Sequence, residues 1–190
     1  SAQCSIVSGE TAEVARNKIK IAGRYTNGFG IMPARSVHHN EIELMGNFTD
    51  EGLECSGRVI AVKSGTESEW TEIFANKISV QGAMRNQEYG YSWGGDSIGG
   101  VYGIQAEGSS YAKIYENDVT AYSRDGMPAM CLRIGGSGGG STNLRVYENT
   151  FTAISDGKSV QNGSRVSRSQ AAIYKFTDDL DEVRDKISIS

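Results

Sequence analysis

The residues best equipped for chemistry crowd into one polar stretch of the middle of the chain, where Arg85, Glu88, Tyr89, Tyr91, Trp93 and Asp96 stand close together. Arg124 and Asp125 lie downstream, and Asp50, Glu51 and Glu54 upstream. Sugar rings present apolar C–H faces that pack on aromatic side chains, and their hydroxyls need the polar partners that Asp, Glu and Arg provide. The set therefore reads as a glycan-binding surface. The competing reading is that Tyr89, Tyr91 and Trp93 fold their own insertion onto the body of the protein as a small local core.

What positions these residues is a repeat. Aligned on Asn17, Asn40, Asn76, Asn117 and Asn149, the chain has Val14, Val37, Ile73, Ile114 and Val146 three residues earlier. Ile19, Ile42, Ile78, Val119 and Phe151 stand two residues later, and Ile21, Leu44, Val80, Ala121 and Ala153 four later. Gly23, Gly46, Gly82, Ser123 and Ser155 close each copy. Alternation after each asparagine is the period of a strand with one buried face. An Asn side chain bonds nearby backbone and suits a bend just before the strand. Strands stacked in register would place the five asparagines in an internal ladder. The intervals between copies are unequal, so insertions enter at the turns, which a solenoid accommodates because each coil touches only its neighbours.

On these residues the chain resembles the right-handed parallel β-helix, or pectate-lyase-like, superfamily, and the resemblance spans nearly the whole chain. It implies an all-β solenoid of about five coils, with sites in outer grooves built from strands and long loops. Loops leaving the asparagine-bearing strands of coils two, three and four should then emerge on one side. Second strands are expected at Phe29–Ile31, Val59–Val62, Gly100–Ile104, Ala129–Ile134 and Ala172–Phe176, with Cys4–Val7 ending an earlier coil. Asn27-Gly28 reads as a turn.

Catalytic motifs of that superfamily are not matched. Hydrolysis needs two carboxyl groups roughly 5–9.5 Å apart, and lytic cleavage of uronic acids needs a base with charge neutralisation, often by calcium on oxygen ligands. Asp178-Asp179 resembles the paired aspartates of polygalacturonases, but the histidine and Arg-x-Lys motifs that should follow are absent. The pair instead opens a tail, 178–187, whose Leu180, Val183 and Ile187 have helical spacing, as in a short capping helix.

Other motifs point to structure. The glycine-rich run 135–141 has no following lysine and no helix to cradle an anion, and reads as a loop. His38 and His39 are adjacent, and neighbours on a strand face opposite ways, so they are not expected to share a metal. Cys131, in Met130-Cys131-Leu132, reads as a small apolar strand residue. Cys4 and Cys55 would pair only across non-adjacent coils. Asn47-Phe48-Thr49 and Asn162-Gly163-Ser164 match the glycosylation acceptor pattern. No metal or cofactor is expected.

The 190 residues suit a single domain, 1–190, and 24 glycines against 2 prolines fit many tight turns. A net charge of −4 with interspersed signs lacks the basic footprint of nucleic-acid binding. No apolar run approaches the roughly 20 residues that cross a bilayer, so no membrane partner is expected. The leading expectation is an extracellular or surface β-helix that binds, and in one variant of the reading cleaves, polysaccharide. The alternative is a non-catalytic structural module of a phage tail spike, adhesin or surface filament. The amino-terminal coil has no covering segment, so either further residues precede Ser1 in the native polypeptide or that face docks on another subunit.

Overall fold

The computed structural model describes residues 2–6, 9, 11–23, 27–31, 34–46, 57–83, 101–106, 108–124, 129–134, 141–156, 170–175 and 187–189. Within them the chain winds in coils of three strands each. Coil one comprises β1 (Ala2–Ile6), β2 (Glu13–Ala15) and β3 (Lys18–Gly23), and coil two β4 (Asn27–Ile31), β5 (Ser36–His38) and β6 (Glu41–Gly46). Coil three comprises β7 (Gly57–Ala61), β8 (Thr71–Phe74) and β9 (Lys77–Ala83), and coil four β10 (Val101–Ala106), β11 (Ser110–Tyr115) and β12 (Asp118–Arg124). Coil five comprises β13 (Ala129–Ile134), β14 (Thr142–Tyr147) and β15 (Thr150–Asp156), and β16 (Gln170–Lys175) and β17 (Ile187–Ile189) follow. Corresponding strands pair in parallel into sheet A (β1-β4-β7-β10-β13-β16), sheet B (β2-β5-β8-β11-β14-β17) and sheet C (β3-β6-β9-β12-β15). The protein is a parallel β-helix.

Register follows the repeat. In sheet C, Ile19, Ile42, Ile78, Val119 and Phe151 are successive partners, and Ile21, Leu44, Val80, Ala121 and Ala153 form the next row. Ile42, Leu44, Ile78, Val80 and Val119 are fully or almost fully buried, Ile19 nearly so, and Ile21 and Phe151 pack partly buried against the same core. Sheet A adds Ile60, Ile104 and Leu132, and sheet B adds Ile73 and Ile114. The interior is narrow enough that Gly103 is obligatory: a Cβ there would lie 2.3 Å from Val119 Cγ1 and 2.7 Å from the Cys131 carbonyl oxygen.

The corner between sheets B and C carries the asparagine ladder. Asn17, Asn40, Asn76 and Asn117 each donate a backbone N–H and a side-chain amide to Oδ1 of the next asparagine, at 2.9–3.1 Å. The rungs lie 23, 36, 41 and 32 residues apart in sequence, yet stack as direct neighbours because the insertions leave elsewhere. Each asparagine also bonds the carbonyl two residues before it, as Asn76 does to Phe74, and those from Asn40 onward bond the coil below, as Asn76 does to Val37. The bend itself falls one residue earlier than expected. Arg16, His39, Ala75, Glu116 and Glu148 take the left-handed conformation, φ 51–58°, while the asparagine supplies the hydrogen bonds.

A second corner, between sheets A and B, uses serine. Ser109 Oγ donates to the Val62 carbonyl at 2.8 Å, and Ser141 Oγ to that of Ala106. On the exposed side of sheet C, Lys18–Glu41 and Lys20–Glu43 pair across β3 and β6 at 3.1 Å, contacts worth about 0–1 kcal/mol each at such exposure.

Two further expectations change, and a third falls almost wholly outside the described residues. The residues before each asparagine are a separate third strand, because the left-handed corner turns the chain between them and sheet C. Asn27 and Gly28 open β4, pairing with Ala2 and Gln3, and do not form a turn. The proposed tail helix lies outside the described residues except for Ile187, which belongs to β17 and pairs with Leu144.

Candidate functional site

Outward side chains of sheet B form rows along the axis, since alternate residues of stacked strands share a face. Two residues before successive ladder asparagines stand His38, Phe74, Tyr115 and Tyr147. Their rings stack at centroid distances of 4.6, 4.9 and 5.0 Å, with interplanar angles of 14°, 2° and 3°. Burial, then the nearby Glu72, Tyr147 and Glu116, pushes the Tyr115 phenol upward from its ordinary pKa. Next to this row runs a charged one, Glu72, Lys113 and Arg145, paired in register. Lys113 Nζ lies 2.8 Å from Glu72 Oε1.

At the edge of this face is a third row, six residues before Asn76, Asn117 and Asn149: Trp70, Tyr111 and Asn143. The Tyr111 ring meets Trp70 edge-on at 5.7 Å and 87°. The Arg145 guanidinium sits 4.7 Å from the Trp70 ring centroid, and Lys113 Nζ lies 5.9 Å from it. Trp70 and Tyr111 are half-buried and Arg145 is exposed. Trp70 ends a turn that is closed by paired Thr66 and Glu69 backbone hydrogen bonds, and Arg35 binds Glu69 at 2.7 Å. The result is an indole flanked by a phenol and two cations, one of which, Lys113, is paired with the Glu72 carboxylate.

Among the described residues, the middle of sheet A offers no comparable surface. β10 and β13 are buried along their whole length. Tyr102 and Arg133, which stand outside the interior cluster, make a buried cation–π contact at 5.1 Å.

Of the residues expected to bind glycan, Arg85, Glu88, Tyr89, Tyr91, Trp93, Asp96 and Asp125 lie outside the described residues, as do Asp50, Glu51 and Glu54. Arg124 is the last residue of β12, in register with Ala83 and Asp156. The strands that the others follow in sequence end at stacked positions, because Met45 lies in register with Gln81, and Ser123 with Gly82. The sheet B rows were missed, although the repeat alignment shows them: the aromatic row lies between the valine or isoleucine position and the asparagine, and the charged and Trp70 rows lie just upstream of it.

His38 and His39 depart from expectation. His39 is at the left-handed corner, so its ring does not point away from that of His38, and the two Nδ1 atoms are 2.9 Å apart. Among the described residues no three His, Cys, Asp or Glu side chains converge as metal ligands. Cys131 is fully buried in β13, its Sγ donating to the Val119 carbonyl at 3.4 Å, and burial pushes its thiol up to about 11. The glycine-rich run 135–140 and Cys55 lie outside the described residues.

Comparison with protein-family models, with curated proteins and with solved structures found no match.

Proposed function

We propose that this β-helix is an extracellular or surface module that binds polysaccharide along the outer edge of sheet B, with Trp70 as its anchor. The carrying observation is the grouping of Trp70 with Tyr111, Lys113, Arg145 and Glu72. An indole gives a sugar an apolar platform, and the cations and carboxylate around it offer donors and acceptors to hydroxyls. Arg145 is exposed and long, so it can move aside from the ring or bond the sugar. The resemblance to the pectate-lyase-like superfamily supports the same reading. Arg85, Glu88, Tyr89, Tyr91, Trp93, Asp96 and Asp125, with Arg124 at the end of β12, belong to the proposal as a second contact.

A structural role is the second reading, favoured by the row of His38, Phe74, Tyr115 and Tyr147. Their ring faces are turned to one another, so this row presents edges and serves cohesion between coils. One screen separates the readings: a polysaccharide array, with release of reducing ends measured on every bound polymer. Binding that falls at least tenfold in Trp70→Ala and Arg145→Ala supports the first reading. A double Tyr91→Ala, Trp93→Ala variant tests the loop contact in the same assay. A parent protein that binds no polymer, or binding untouched by Trp70→Ala, would leave the structural role.

A further inference from the structure

Glu13, His38 and His39 form a hydrogen-bonded chain at the coil-two end of the aromatic row. His38 Nε2 lies 2.7 Å from Glu13 Oε1. A carboxylate only accepts, so Nε2 carries the proton and Nδ1 of the neutral ring presents its lone pair. That lone pair faces Nδ1 of His39 at 2.9 Å. The His38 ring has little freedom: it stacks on Phe74 at 4.6 Å and its side chain is only 14% exposed. His39 is exposed, but its backbone is set by the left-handed corner and by its N–H bond to the Phe74 carbonyl. Its ring meets Phe74 edge-on at 5.7 Å.

Two imidazole nitrogens this close share one proton when they point at each other, and one metal ion when rotation of the rings brings both lone pairs to a point off the line between them. Nitrogens about 2.0–2.1 Å from an ion are about 2.9 Å apart when they subtend a right angle, and about 3.3 Å apart at a tetrahedral angle. The observed separation matches the right angle, the geometry of tetragonal Cu(II) and Ni(II) sites. A carboxylate on the far nitrogen of a ligating histidine is the usual outer-shell partner that fixes its tautomer and raises its basicity.

We propose that His38 and His39 form a two-histidine site for a tetragonal divalent ion, Cu(II) or Ni(II), with Glu13 as the positioning residue and water in the remaining positions. Position along the chain hides the site, because adjacent strand residues diverge. The left-handed conformation of His39 is what lets them converge.

The test uses the full chain, Ni(II) calorimetry and electron paramagnetic resonance with Cu(II). His38→Phe keeps a ring on Phe74 without a ligand nitrogen, and His39→Asn keeps a residue that tolerates the left-handed corner. Expected are one Ni(II) per chain and a Cu(II) spectrum with coupling to two imidazole nitrogens, which these residues alone can supply because the chain has 2 histidines. Each histidine variant should weaken binding at least tenfold, and Glu13→Gln by about 10–100-fold, all with unchanged circular dichroism. No saturable Ni(II) binding, or either histidine variant binding like the parent, would overturn the site. Unchanged binding in Glu13→Gln would overturn the positioning role, and Zn(II) binding as tight as Cu(II) would overturn the tetragonal assignment.

Discussion

Asn76 gives its backbone N–H and its side-chain amide to one atom, Oδ1 of Asn117, at 3.1 and 2.9 Å. Its own Oδ1 receives the same pair from Asn40, and its amide also reaches the Val37 and Phe74 carbonyls. Removing the side chain therefore strands buried donors and acceptors on three coils at once. Each buried group left unpaired costs about 1–3 kcal/mol, so Asn76→Ala should lower stability by at least about 3 kcal/mol in urea unfolding. Asn76→Asp should cost more, because a carboxylate would face those two carbonyls and Asn117 Oδ1 with no amide to donate. Asn17, at the partly buried end of the ladder, should lose less on change to Ala. Equal losses at the two positions would mean that the ladder is not cooperative.

Ala75 shows the cost of the corner. It takes φ 51° without being glycine or asparagine, a conformation that costs an L-residue roughly 1–2 kcal/mol. Glycine removes that strain but adds about 0.5–1 kcal/mol of unfolded-state entropy to be lost. Ala75→Gly should therefore stabilise the protein by about 0.5–1 kcal/mol, whereas Ala75→Val should destabilise it. Thermal melts of the two variants give the sign directly, and a destabilised glycine variant would refute the strain argument.

The legible part of this fold was its repetition. Ile42, Ile78 and Val119 occupy one offset and end in one row because a solenoid turns equal offsets into direct contact. The third sheet was less legible: Val14, Val37 and Ile73 marked it, but a left-handed Arg16, His39 or Ala75 has no signature in residue type. Trp70 was hidden for another reason. Its partners Tyr111, Lys113 and Arg145 come from the next two coils, far away in sequence, and only strand register brings them together. The loop residues around Trp93 carried the sequence reading of function, and they lie outside the described residues.

Cys131 makes stability depend on alkaline pH. Burial favours the neutral thiol in the folded state, raising it from the 9.0 of an unperturbed cysteine to about 11. Between those values the unfolded chain releases the proton first, so it binds fewer protons than the native state and stability falls as pH rises. The contribution is fully present below pH 9 and should fade on the order of 1–2 kcal/mol by pH 11. Urea midpoints of the parent and Cys131→Ala, compared at pH 8 and 10.5, should converge at the higher pH. Parallel midpoints across that range would show that the thiol is not the source.

Gly65 ties the Trp70 corner to the next coil. Its N–H donates to the Ser110 carbonyl at 2.7 Å. A Cβ on it would stand 2.5 Å from the Tyr111 carbonyl oxygen, 2.7 Å from that of Glu69 and 2.8 Å from the Thr71 nitrogen. All three are backbone atoms, which cannot swing away as a side chain tip does. In Gly65→Ala the turn 65–70 must shift and take Trp70 with it, at a cost of about 1–3 kcal/mol for the forced backbone movement. Sheet C and the asparagine ladder lie beyond the interior and should persist, so circular dichroism should be retained. If Trp70 anchors polysaccharide, Gly65→Ala should lose affinity nearly as far as Trp70→Ala does while keeping the indole. Full affinity in Gly65→Ala, with a melt showing the expected destabilisation, would mean that binding does not depend on where this corner holds the ring.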